Sequence, residues 1–122
     1  RDDARRFEFI TVPFQDFAGM NASLELLLEL GPAAVAAHIA RLADVVVSWA
    51  SGREDMRLVT PADGARRAGI VCVAPPDPEA TSRRLKAAGI AHSQREGAMR
   101  LAIHGFTTDD DIARALAVMA GP

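Results

Sequence analysis

The most constraining stretch of this chain runs from Ile70 to Phe106, where two candidate strands flank one short helix. Ile70, Val71, Cys72, Val73 and Ala74 form an unbroken apolar run, the pattern of a central strand covered on both faces. Met99 to Ile103 alternates instead. Met99, Leu101 and Ile103 point one way, and Arg100, Ala102 and His104 the other. A small domain needs one packed side, which the Met, Leu and Ile set supplies. The opposite side then presents Arg100 and His104 from regular backbone, and these two are the candidate binding residues. The plainer reading of the same arginine is a solvent-facing side chain.

Between the strands, Pro78 to Ala88 predicts a helix, capped by Asp77, begun by Pro78 and stopped by Gly89. Leu85 and Ala88 are its inner residues; Arg83, Arg84 and Lys86 are its wet side. Ile90 to Ser93 begins another extended piece. Arg95, Glu96 and Gly97 turn it back into Met99–Ile103, so the pair reads as a hairpin. Glu96 is placed to form an ion pair with Arg95 or Arg100.

Upstream, Arg5 to Val12 reads as extended and is ended by Pro13, because the residue before proline avoids the helical region. Phe14 to Ala18 carries no strong helix signal, and Asp16 is placed to cap the helix after it. Met20, Leu24, Leu27 and Leu28 make a helical stripe up to Leu30, and Gly31 and Pro32 mark a stop and a restart. The leucines of this segment surround more of the helix than one core stripe can bury. A longer helix fits Ala33 to Ala50, with Val35, Ile39, Leu42, Val46 and Trp49 inward and Trp49 as a core anchor. Met56 to Val59 is a short strand, and Asp63 and Gly64 suit a turn beside the wetted Arg66 and Arg67. Thr107, Thr108 and three aspartates announce a last helix with Ile112, Leu116 and Met119 inward. The order predicts an α+β fold: a small antiparallel or mixed sheet with helices packed on one face.

Composition removes several classes of function. With 122 residues the chain suits one domain. Fourteen basic against sixteen acidic residues leave a charge of -2, no overall field for nucleic acid or an anionic membrane surface. No uncharged apolar run is long enough to suggest a membrane span. Cys72, the one cysteine, cannot form an internal disulfide, reads as a buried spectator, and fits a reducing cytoplasm. The three histidines lack a ligand spacing, and consecutive aspartates diverge around a helix, so no metal site is expected. No glycine-rich phosphate loop and no nucleophile elbow is present. Read locally, the chain offers an anion contact and no catalytic residue. Its first residue, Arg1, opens a charged segment without methionine, which reads as a cut product or a trimmed piece of a longer chain.

Several motifs are familiar in combination. Arg6, Phe7 and Glu8 before Thr11 resemble an Arg-Phe-Glu, Gly-Thr-Pro segment, with Ile10 for the glycine and Val12 intervening before Pro13. Gly19 to Gly31 resembles a connecting helix. Arg67, Ala68, Gly69 and Ile70 match an Arg-Ser-Gly-Ile lead-in to a central strand. Met99 to His104 matches a substrate-arginine strand, and Gly105 to the aspartates stands where a His-Phe-Tyr-Asn-Thr-Glu-Glu pattern is common. In this order the motifs resemble the C-terminal part of class V aminotransferase-like enzymes of fold-type I, a pyridoxal-phosphate group. Cysteine desulfurases, selenocysteine lyases and isopenicillin-N-epimerase-like proteins belong to it.

That resemblance implies residues 1–19 as a remnant of the large-domain boundary, 20–31 as the connecting helix and 32–122 as the small domain. It implies Arg100 as the contact for a small amino acid's α-carboxylate, with His104 beside it on the substrate side. It implies Thr11 as a donor to the cofactor phosphate. The cofactor-binding lysine belongs to a large domain upstream. Pyridoxal 5'-phosphate is therefore expected in the parent enzyme, none in the isolated chain, and a homodimer is expected through the Met20–Leu30 helix. An aminotransferase or epimerase-like parent fits better than a desulfurase, because Cys72 sits too early and no other cysteine precedes the final strand. A free-standing small-molecule-binding or protein-interaction domain is the competing reading.

Overall fold

The computed structural model describes residues 2–7 and 13–121, and the chain divides into two units, Arg1–Pro32 and Ala33–Pro122. In the first unit, Ala4–Phe7 forms a 3-10 turn where an extended entry is expected. The Asp3 carboxylate accepts the Arg5 N–H at 3.0 Å and curls the chain there. Residues 8–12 of that expected segment lie outside the described residues.

The same unit carries α1 (Phe14–Leu30). This helix begins directly after Pro13, earlier than its weak signal predicts, and Asp16 lies in its first turn without capping it. There a carboxylate still favours the positive helix end. Gly31, at φ 84°, receives the chain end and donates its N–H to the carbonyls of Leu27 and Leu28. No residue of α1 is buried, and Leu26, Leu28 and Leu30 are each more than half exposed.

Four short strands make the second unit's sheet: β1 (Arg57–Leu58), β2 (Ile70–Ala74), β3 (Ser93–Arg95) and β4 (Ala98–Ala102). All neighbours are antiparallel, in the order β1-β2-β4-β3. Three helices, α2 (Pro32–Ser51), α3 (Pro78–Ala87) and α4 (Asp109–Ala120), supply the rest of the core. Leu42, Val46 and Val47 of α2 meet Val71 and Val73 of β2, Met99 and Leu101 of β4, Leu85 of α3, and Ile112, Leu116 and Met119 of α4. The architecture is α+β, with an antiparallel sheet and helices against it.

Although α2 is long and apolar enough to cross a membrane by length and composition, its charges are tied into this unit. Arg41 holds Asp109 at 2.6 Å, and Asp44 pairs with Arg67. Arg67 differs from its expected wetted position: its side chain is only 6% exposed. The Gly64–Arg66 3-10 turn, capped by Asp63, swings Arg67 back under α2. Trp49 is half-buried at the core margin, with the Arg53 guanidinium 5.2 Å above its ring.

Two arginines lock α3 to α4 by exchange. Arg84 of α3 donates to the carbonyl of Val118 at 3.2 Å, and Arg114 of α4 donates to the carbonyl of Ala88. Arg114 reaches the carbonyl that ends α3, and Arg84 adds a donor to the Val118 carbonyl, which also accepts the Gly121 N–H at the end of α4. Arg84 is thus half-buried, against the wet placement that spacing suggests. At its other end α4 has a full capping box: the Thr108 hydroxyl accepts from the Asp111 N–H, and the Asp111 carboxylate accepts from the Thr108 N–H. That backbone hydrogen bond, with the Thr108 hydroxyl, holds the Asp111 carboxyl below its usual range.

The largest correction concerns β2. Its uniform apolar run predicts cover on both faces, yet only Val71 and Val73 are buried; Cys72 and Ala74 are half-buried and Ile70 is 43% exposed. The second unit's core lies on one side of its sheet, and the other face of β2 is left to small and medium side chains. Gly69, just before β2, is required by space. A Cβ there would lie 2.6 Å from both the Ile103 carbonyl oxygen and Ile39 Cγ2.

Candidate functional site

The site is built by register. In β4 the predicted alternation holds: Met99, Leu101 and Ile103 are buried, while Arg100 is half-buried and Ala102 and His104 are exposed. β2 lies on one side of β4, with Cys72 opposite Arg100 and Ile70 opposite Ala102. On the other side β3 sets Ser93 opposite Arg100 and Arg95 opposite Ala98. Directly paired residues share a face. The face away from the core therefore holds the row Cys72, Arg100, Ser93, with Arg95 in the next row beside Ala98, which is buried. Cys72 is no buried spectator; its thiol stands beside Arg100.

The hairpin that fixes this register closes through Glu96 and Gly97, at φ 49° and 77°. Two consecutive left-handed residues are the signature of the tight turn that matches strand twist. The strand before it is Ser93–Arg95, later than the predicted Ile90–Ser93, because His92 is engaged elsewhere. Its Nδ1–H donates to the carbonyl of Ile90 at 2.9 Å, which leaves Nε2 to accept the Ser82 hydroxyl at 2.8 Å. This hydroxyl–imidazole pair borders a cleft with Lys86 at the carbonyl end of α3. Negative charge is disfavoured at such a helix end, so the pair serves as a clip between α3 and β3.

Arg100 is distinguished by what it lacks. Arg5, Arg41, Arg53 and Arg67 pair with aspartates, and Arg84 and Arg114 bond backbone carbonyls. Among the described residues Arg100 has no such partner, and of the arginines left without one it alone is half-buried. The expected pairing of Glu96 with Arg95 or Arg100 is absent among the described residues, because the turn carries Glu96 beyond the strand ends. A half-buried arginine without a counter-charge keeps its donors open to a ligand. Its planar fork suits a carboxylate or phosphate oxygen pair.

His104 shares the strand parity of Arg100 but stands past the end of β4, so the two are not neighbours. Its ring packs on Phe106 at 4.5 Å, and its N–H donates to the Thr107 hydroxyl. His38 of α2 donates from Nε2 to the Thr107 carbonyl at 2.8 Å and so anchors the same turn. Thr11 lies outside the described residues. No three His, Cys, Asp or Glu side chains gather as a metal site among the described residues.

The lysine needed to hold an aldehyde cofactor is not on this face. Lys86, the chain's one lysine, is exposed on α3, which packs against the inner side of the sheet. The open face therefore offers donors for an anion and, among the described residues, no amine for an aldehyde.

Sequence reading missed the placement of Ser93, Arg95 and Cys72 around Arg100. Counting outward from a two-residue Glu96–Gly97 turn gives the β3 partners directly. Nothing in an all-apolar run reveals which of its faces is open.

No family model and no curated protein sequence matches the chain. Among solved structures the chain is similar to a C-DES mutant with glycine covalently linked to its PLP cofactor, at TM-score 0.81 and 22% sequence identity. The match covers 96% of this chain and 31% of that one, so this chain spans about a third of the length of the solved protein it matches. The likeness establishes a shared fold with a part of a PLP-linked enzyme chain.

Proposed function

We propose that this chain is the C-terminal small domain of a larger pyridoxal-phosphate enzyme of the class V aminotransferase type. The enzyme acts on a small amino acid, and Arg100 receives the α-carboxylate. The observation that carries the reading is the half-buried Arg100 on the open sheet face, whose side chain has no ion-pair or hydrogen-bond partner among the described residues. The shared fold with a third of a PLP-linked chain supports it. Pyridoxal phosphate, bound by a large domain elsewhere in the protein, would supply the electron sink for chemistry at the amino acid's α-carbon. This chain's share is orientation: one fork of donors fixes the carboxylate and hence the plane in which the α-carbon is presented.

Thr11 is proposed as a donor to the cofactor phosphate and His104 as a contact at the substrate's edge. The protein is proposed to be cytoplasmic and to pair as a homodimer. The isolated chain is expected to bind no cofactor specifically, since Lys86 lies on α3. Within this reading, the thiol of Cys72 beside Arg100 gives a desulfurase-like or lyase-like parent a specific point in its favour, although a strand holds it less mobile than a loop would. The test is the reading frame upstream of Arg1. A large domain with a lysine after a β-strand is expected there. A natural start next to Arg1 would instead establish a free-standing binding domain.

A further inference from the structure

We infer that the ligand held at Arg100 carries a second anionic group, received by Arg95 with the Ser93 hydroxyl between them. The substrate class is then an amino acid with an acidic side chain. This inference rests on the proposed role of Arg100 and adds a second contact to it.

Register carries the argument. The two-residue turn at Glu96 and Gly97 pins Arg95 opposite Ala98 and Ser93 opposite Arg100. Arg95 and Arg100 therefore stand diagonally on one face of one hairpin, about 7–8 Å apart along the backbone and somewhat closer at Cβ. Like charges at neighbouring sheet positions repel. Among the described residues no carboxylate pairs with either arginine, although four other arginines of the chain have an aspartate. Side-chain bulk is small as well. Ala98, itself buried, and the exposed Ala102 flank Arg100 along β4, and Ala74 follows Cys72 along β2, so none of these three positions puts a large side chain between the two arginines. Arg57, opposite Ala74 on the far edge strand, is the more distant cation. A diacid spanning Arg100 and Arg95 relieves the repulsion and leaves the Ser93 hydroxyl free to donate to either carboxylate. An edge arginine also discourages strand addition by other chains, a role indifferent to small ligands.

The test titrates the chain at low ionic strength with glutarate and with butyrate, followed by NMR of the arginine Nε–H groups and the amides of β3 and β4. Glutarate is expected to bind about fivefold more tightly than butyrate, the scale of one exposed ion pair. Arg95→Gln should reduce glutarate to the affinity of butyrate and leave butyrate unchanged, Arg95→Lys should retain part of the preference, and Arg100→Gln should weaken both. Unchanged amide shifts outside the hairpin verify that each variant is folded. Equal affinities in the parent chain, or a glutarate preference that survives Arg95→Gln, would overturn the second contact; if Arg100→Gln still weakens both acids, the role of Arg100 stands. No response to either acid, or indifference to Arg100→Gln, would overturn both.

Discussion

Cys72 and Arg100 are direct partners across β2 and β4, side by side on the sheet face opposite the core. A thiol on one side and the Ser93 hydroxyl on the other give the guanidinium neighbours without charge. Its anion must come from outside the described residues, and that is the physical basis for reading it as a binding group.

This parity has a consequence for stability. Cys72→Ser removes little buried surface and should change unfolding free energy by no more than about 0.5 kcal/mol, as surface substitutions do. Met99→Ala on the neighbouring strand empties a fully buried position and should cost about 2–5 kcal/mol. Urea denaturation of the two variants measures both. Similar losses would mean that the outer face of β2 is as covered as the inner one.

Gly69→Ala should destabilise by about 1–3 kcal/mol, the usual cost of forcing an atom into a packed site. The added carbon meets the Ile103 carbonyl, and Gly69 itself accepts the Ile103 N–H at 2.7 Å. The strain should appear as loss of amide protection at Ile103 in hydrogen exchange, together with a lower thermal midpoint.

The cap of α4 predicts a pH dependence. The folded state holds the Asp111 carboxyl below its ordinary value of 3.8, first through the Thr108 N–H and then through its hydroxyl. A depressed pKa means stabilisation that is present above the unfolded value and lost as pH falls through the folded one. The stability difference between the parent chain and Asp111→Ala should therefore be constant near neutrality and shrink on acidification below 3.8. Thr108→Ala should cost about 1 kcal/mol at neutral pH. Denaturation curves across that range check both statements.

Much of this was legible because the relevant signals are local. Asp77 with Pro78, and Thr108 with Asp111, mark helix starts by short-range hydrogen bonding, and both cap as their residue types predict. The alternation of Met99 to Ile103 marks the faces of β4. The illegible part depends on distant partners. Arg67 reads as a loop residue until Asp44, 23 positions away, is folded against it. Arg84 reads as wet until α4 ends beside it. Cys72 reads as buried because its strand has no polar residue to mark the open side.

The exposed leucines of α1 predict association. Leu26, Leu28 and Leu30 lie in one helix with no buried residue, the kind of apolar surface that recruits a partner, most often as a closed pair. Sedimentation equilibrium should show a dimer of the chain, and Leu26→Glu with Leu30→Glu should dissociate it. A monomer, or a dimer indifferent to both charges, would remove α1 as an association surface.

The central claim is that Arg100 binds the substrate carboxylate, and steady-state kinetics of Arg100→Ala in the complete enzyme test it most directly. Loss of a charge-assisted contact is worth about 1.5–3 kcal/mol, so KM for the amino acid should rise roughly tenfold to a hundredfold. Arg100→Lys should recover only part of that loss, because a point charge lacks the fork. A KM and kcat unchanged in Arg100→Ala would contradict the account.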